Sequence, residues 1–127
     1  EFYDRSSLHT RPYFYGFGRG ATLDHLLRIL DERQGSKIIV MAYRNFAHGE
    51  DGTIAISREE IKEANDSHTK VLIAQETGDF PPPYITFFNT SKSHLKDGVG
   101  KIEEAFEADR SFGGVSLHYI NSLMALR

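Results

Sequence analysis

Two short stretches decide the fold: Lys37-Ile38-Ile39-Val40-Met41-Ala42-Tyr43 and Val71-Leu72-Ile73-Ala74. Each is a near-continuous apolar run. Both are rich in β-branched or aliphatic residues, and both are too short for a helix. Such runs read as strands covered on both faces, the habit of parallel sheets. A third run, Gly114-Val115-Ser116-Leu117-His118-Tyr119, reads as the last strand. Between them lie helical patterns. Leu23, Leu26, Leu27 and Leu30 fall at helical spacing, with Thr22 as the expected N-cap and Gly35 as the stop. Ser57-Arg58-Glu59-Glu60 has the form of a capping box opening a helix to about Ser67. Leu95, Val99, Ile102 and Phe106 give the stripe of a helix over about 93–109. Tyr84 to Phe88 reads as a short extra strand, and 122–127 as a helical tail.

Strands alternating with helices predict an α/β fold with a parallel sheet and right-handed crossovers. The chain has 127 residues, room for one modest domain. Residues 1–20 read as an irregular lead-in and 21–127 as βα units. A complete eight-unit barrel needs roughly 250 residues, so three units of one would fit here. The chain opens on Glu1-Phe2-Tyr3 without Met or a signal-like apolar core, as a processed chain or a piece of a longer one would.

Composition narrows the function. Fifteen basic residues against 18 acidic ones leave a net charge of −3, so no nucleic-acid partner is expected. No apolar run approaches a bilayer span, so no membrane partner is expected. The absence of Cys removes thiol catalysis, disulfides and Cys-ligated metals. The six histidines, at 9, 25, 48, 68, 94 and 118, show no metal-site spacing, so neither metal nor cofactor is expected. Glu59-Glu60 and Glu103-Glu104 read as solvated charge on helix faces. Compartment is left open.

In parallel α/β sheets, sites gather beyond the carboxyl ends of the strands. Those ends carry Tyr43-Arg44-Asn45, Gln75-Glu76-Thr77 and His118-Tyr119. Period-two alternation puts Glu76 with Ala74 and Leu72, and His118 with Ser116 and Gly114. Arg44 would join them, holding Glu76 ionised. Glu76 is the candidate catalytic carboxylate. Tyr43, Arg44, His118 and Tyr119 are candidate substrate-binding residues. A structural Arg–Glu pair at the rim is the plainer reading of the same residues. Gly16, Gly18 and Gly20 before a helix offer a second reading, a phosphate cradle in a small doubly wound nucleotide-binding domain. The spacing G-x-G-x-G departs from the dinucleotide fingerprint.

Five segments in order carry a resemblance: Val40 to Asn45, Gly49 to Ile54, Val71 to Gly78 ending in Glu-Thr-Gly, Tyr84 to Phe87, and Phe112 to Tyr119. Together they resemble the C-terminal part of a family of TIM-barrel proteins similar to glycoside hydrolases. The resemblance covers about residues 37–126. It implies that the chain forms the last three βα units of a (β/α)8 barrel and that the ligand is carbohydrate. It also implies that Glu76 stands where retaining barrel glycosidases place a nucleophile on the seventh strand. The acid/base partner would come from the fourth strand, upstream of this chain. Relatives often read Asp-Tyr-Arg-Asp where this chain has Ala42-Tyr43-Arg44-Asn45, and an aromatic after His-Tyr where it has Ile120-Asn121. With one carboxylate the two-group mechanism cannot run. The expectation is therefore a barrel fragment inactive alone, or a non-catalytic domain binding carbohydrate or a partner. Open sheet edges add self-association, or docking of a missing barrel half, as an expected partner mode.

Overall fold

The computed structural model describes residues 3–4 and 19–127 except Arg33, with only the backbone described for 3–4 and 19–22. Gly16 and Gly18, and with them most of the glycine triplet, lie outside the described residues.

The chain is an α/β structure with a parallel sheet. Its strands are β1 (Tyr3–Asp4), β2 (Lys37–Met41), β3 (Lys70–Glu76) and β4 (Phe112–His118). They lie side by side in chain order, all parallel. The crossovers carry α1 (Arg19–Asp31), α2 (Thr53–Ala64) and α3 (Lys92–Phe106), and α4 (Ile120–Ala125) follows β4. A single 3-10 turn, Pro83–Ile85, lies between β3 and α3.

The register explains the core. Ile38 pairs with Val71 and Val40 with Ile73, so these four point to one face of the sheet. Leu23 and Leu27 of α1, Ile54 and Ile61 of α2, and Ile102 and Phe106 of α3 pack onto that same face in one cluster. All three crossover helices thus cover one side. The strand order never reverses, so these units are singly wound, and the crevice of a doubly wound domain does not arise among the described strands. The opposite face carries Ile39, Met41, Leu72, Gly114 and Ser116, all only partly buried.

β4 reaches this arrangement through an irregularity. Val71 pairs with Phe112 but Leu72 pairs with Gly114, which leaves Gly113 as one extra residue in β4. Beyond it Ala74 pairs with Ser116 and Glu76 with His118.

Several local expectations give way. Helix α1 starts at Arg19, so Thr22 lies inside it instead of capping it. Helix α2 starts at Thr53, with Gly52 as its N-cap. A side chain at Gly52 would meet the His48 carbonyl oxygen at 2.4 Å, so the turn into α2 admits only glycine. Ser57 and Glu60 therefore sit inside α2, both buried, and the capping box does not form. Glu60 is not solvated surface charge. The reason is the packing of Thr53 and Ile54, which draws the N-cap five residues earlier than the polar signature suggests, from Ser57 to Gly52. Tyr84–Phe88 is not a strand. The three prolines favour a turn, and only Thr86 makes a bridge, parallel to Glu76. Ser91 caps α3 by accepting from the His94 backbone N–H at 3.1 Å.

At the end of the sheet opposite the strand carboxyl ends, Asp31, the last residue of α1, accepts from both the backbone N–H and the ring Nδ1 of His68, at 2.7 and 2.9 Å. The His68 backbone N–H, and then its ring, hold the Asp31 carboxyl below its ordinary value of 3.8. A depressed carboxyl stabilises the fold above its unfolded pKa and loses that contribution as pH falls through its folded value. Thermal unfolding of Asp31→Asn should therefore fall below wild type at neutral pH. The two melting temperatures should converge as pH drops below about 3.8.

Candidate functional site

Strand β3 ends with two buried polar side chains side by side, Gln75 and Glu76. Alternation sends them to opposite faces. Gln75 points to the helix side. Its Nε2 donates to the carbonyls of Ala42 at 3.0 Å and Ala74 at 2.8 Å, and its Oε1 lies 3.4 Å from Thr53 Oγ1.

Glu76 points to the other face and is only 3% exposed. Its Oε1 accepts from the backbone N–H of Gly78 at 2.6 Å and of Thr77 at 2.9 Å. Its Oε2 lies 2.6 Å from His118 Nδ1. These are the charge-assisted contacts a buried carboxylate needs. Gly78 is required by them: a Cβ there would stand 2.9 Å from Oε1 and 3.1 Å from the Tyr119 ring. The Glu-Thr-Gly sequence is thus a carboxylate followed by its own two donors, a role that sequence reading missed. The signal was the glycine two residues on.

Thr77 links this centre to the chain end. Its Oγ1 reaches the His118 carbonyl at 2.9 Å and Ser122 Oγ at 2.6 Å, and its N–H also reaches the His118 carbonyl at 2.7 Å. The peptide joining His118 to Tyr119 is cis. Phe80 and Tyr119 both border Gly78, and their rings, like that of Tyr84, are exposed. Phe80 and Tyr84 add two aromatics that the sequence did not single out. Phe80 sits in the proline loop two residues past Gly78.

Arg44 stands apart from the expected convergence. The last ladder pair of β2 is Met41 with Ala74, and the chain turns there, with the Ala42 N–H on the Val40 carbonyl at 2.9 Å. Val40 is in phase with Ile73, so Ala42 falls on the Gln75 side and not on that of Glu76. The Arg44 guanidinium instead grips Asp51 with two hydrogen bonds, Nε at 3.1 Å and Nη2 at 2.9 Å, and donates to the Tyr43 carbonyl at 2.7 Å. It also stacks 5.4 Å from the centre of the Tyr84 ring. Tyr43 itself is half-buried. Asn45 fastens the same loop across the site: its Nδ2 donates to the carbonyls of Pro83 and Thr86, at 3.0 and 2.9 Å. The structure therefore brings Glu76, His118 and Tyr119 together, and holds Arg44 in a neighbouring ion pair that shapes the Tyr84 side of the rim.

Among the described residues no three His, Asp or Glu side chains cluster as a metal site, and no helix is long and apolar enough to cross a membrane. A hollow of about 330 Å³ lies between Asn89-Thr90 and α4, with Ser122, a hydrogen-bond partner of Thr77, in its wall. Comparison with family models, curated proteins and solved structures yields no match to this chain.

The Arg44 side chain is 5% exposed and that of Asp51 58%, so the two halves of the pair differ in cost. Arg44→Ala removes a buried charged donor and its stacking on Tyr84 and should destabilise by about 2–3 kcal/mol. Asp51→Asn leaves a solvated partner position and should cost about 1 kcal/mol or less. Urea unfolding of the two variants checks the ranking.

Proposed function

We propose that the chain supplies consecutive βα units of a glycoside-hydrolase-like TIM barrel and binds carbohydrate at the carboxyl ends of its strands. The observation that carries this reading is a buried, hydrogen-bonded carboxylate, Glu76, at a strand end with exposed aromatic rings beside it. A sugar presents apolar C–H faces and a fringe of hydroxyls. Phe80, Tyr84 and Tyr119 offer flat apolar surface for the first, and the exposed His118 ring, backed by Glu76, offers a polar atom for the second. The singly wound strand order with helices on one face is the layout of barrel units, and it supports this reading over a doubly wound nucleotide-binding domain.

Cleavage by this chain alone is not part of the proposal. Hydrolysis of a glycoside by the two-carboxylate route needs a second carboxyl group across the bond. Glu76 already has both oxygens engaged. In a complete barrel the second carboxylate would come from other units, and the partly buried sheet face would line the barrel interior. The same face gives copies of the chain a reason to associate.

Titration of the protein with a panel of neutral oligosaccharides should shift the amide resonances of Thr77, Gly78 and Tyr119 without releasing product from chromogenic glycosides. Tyr119→Ala should weaken binding several-fold to about tenfold, which is roughly 1 kcal/mol of stacking. A panel without any shift at millimolar sugar would sink the reading. Light scattering on the same samples should give a mass above the 14.4 kDa of one chain. A concentration-independent monomer would count against the barrel-unit part.

A further inference from the structure

We propose that His118, not Glu76, is the proton-accepting group of this site, and that Glu76 acts as the positioning residue that fixes which ring nitrogen is free. Glu76 is almost wholly enclosed and His118 is not: their side chains are 3% and 52% exposed. Both carboxylate oxygens are committed, Oε1 to two backbone donors and Oε2 to the ring. A ligand in solvent therefore meets the imidazole before it meets the carboxylate.

The tautomer follows from the partners. An ionised carboxylate can only accept, so the Nδ1 facing it carries the proton. Neutral imidazole has one N–H, so Nε2 is left with a lone pair. Among the described residues nothing hydrogen-bonds Nε2. The Tyr119 ring, 5.2 Å away centre to centre, flanks the imidazole as a wall. Nε2 is thus an exposed base beside an aromatic surface, backed by a buried carboxylate. It suits a ligand that brings a hydroxyl, or a water held by one. In the transfer the O–H bond breaks as the Nε2–H bond forms, leaving an oxyanion on the ligand or a hydroxide. The resulting imidazolium is stabilised by Glu76 at 2.6 Å. The identity of that ligand as a sugar rests on the proposed function above; the tautomer does not.

The test is written into the two oxygens. Glu76→Gln replaces two acceptors with one acceptor and one donor. The Gly78 N–H at 2.6 Å and the Thr77 N–H claim the acceptor. The amide NH2 then faces Nδ1, which must accept, and the ring proton moves to Nε2. Nitrogen-15 chemical shifts of the ring, recorded at a pH above the usual imidazole range, should show Nδ1–H in the wild type and Nε2–H in Glu76→Gln. Diethyl pyrocarbonate should modify His118 in the wild type, with the rate falling several-fold in Glu76→Gln. A hydroxyl-bearing oligosaccharide should protect the wild type from the reagent. An Nε2–H tautomer in the wild type would overturn the proposal, as would an unchanged tautomer in a Glu76→Gln protein that keeps its wild-type circular dichroism. Should that variant unfold, Gly78→Ala, whose Cβ would crowd Oε1, is the second probe. It should slow the modification of His118, and an unchanged rate would tell against Glu76 as the positioning group. Correct tautomers with no protection by any sugar would leave the base in place and remove the carbohydrate reading instead.

Discussion

Two polar side chains buried next to each other at the end of one strand constrain everything around them. Gln75 and Glu76 face opposite sides of β3, and each must find its hydrogen bonds on its own side. Gln75 finds them in the Ala42 carbonyl just past β2 and at the start of α2. Glu76 finds them in its own following backbone and in β4. The strand end is thereby bonded to both neighbouring strands, through an amide on the helix side and a carboxylate on the other. The loops leave the sheet where these demands permit.

The segment after β3 shows the same logic on a larger scale. It leaves through Gly78, passes three prolines, and comes back so that Thr86 bridges Glu76 and the Phe87 N–H meets the Glu76 carbonyl at 2.8 Å. Thr86 Oγ1 closes on the Gly78 carbonyl at 2.6 Å. Asn45 then ties this return to the β2 loop, and His94 ties Asn45 to α3. Phe87 packs beneath with Leu95 and Leu126 in a small second core. The exposed aromatic rings are therefore presented by a backbone anchored on both sides. That matters for recognition, because a ring held still loses less entropy when a ligand stacks on it.

The α/β alternation was legible because apolar runs of strand length and stripes at helical spacing are direct images of burial. Ile38 to Val40, Val71 to Ile73 and the Leu95–Phe106 stripe all lie where their periodicity puts them. Ser57 and Glu60 were misread because a capping signature is local, while the start of α2 is set by Thr53 and Ile54 entering the core. Arg44 was misread for a different reason. Counting alternate residues along β2 assumes that the strand continues to Arg44, and the ladder ends at Met41. The shared face of Glu76 and His118 was read correctly because both sit inside their ladder, where the count still holds. Their direct contact depends on register between strands 42 residues apart in sequence, which no local pattern encodes.

The extra residue at Gly113 has a consequence out of proportion to its size. It shifts β4 by one step against β3, and a one-step shift exchanges the two faces of a strand. Without it Leu117 would stand beside Glu76, and His118 would be one position out of phase. The chemistry of this rim is thus stored as a number, the count of residues between Phe112 and His118, as much as in the identity of any one of them. An imidazole is kept at a carboxylate by parity.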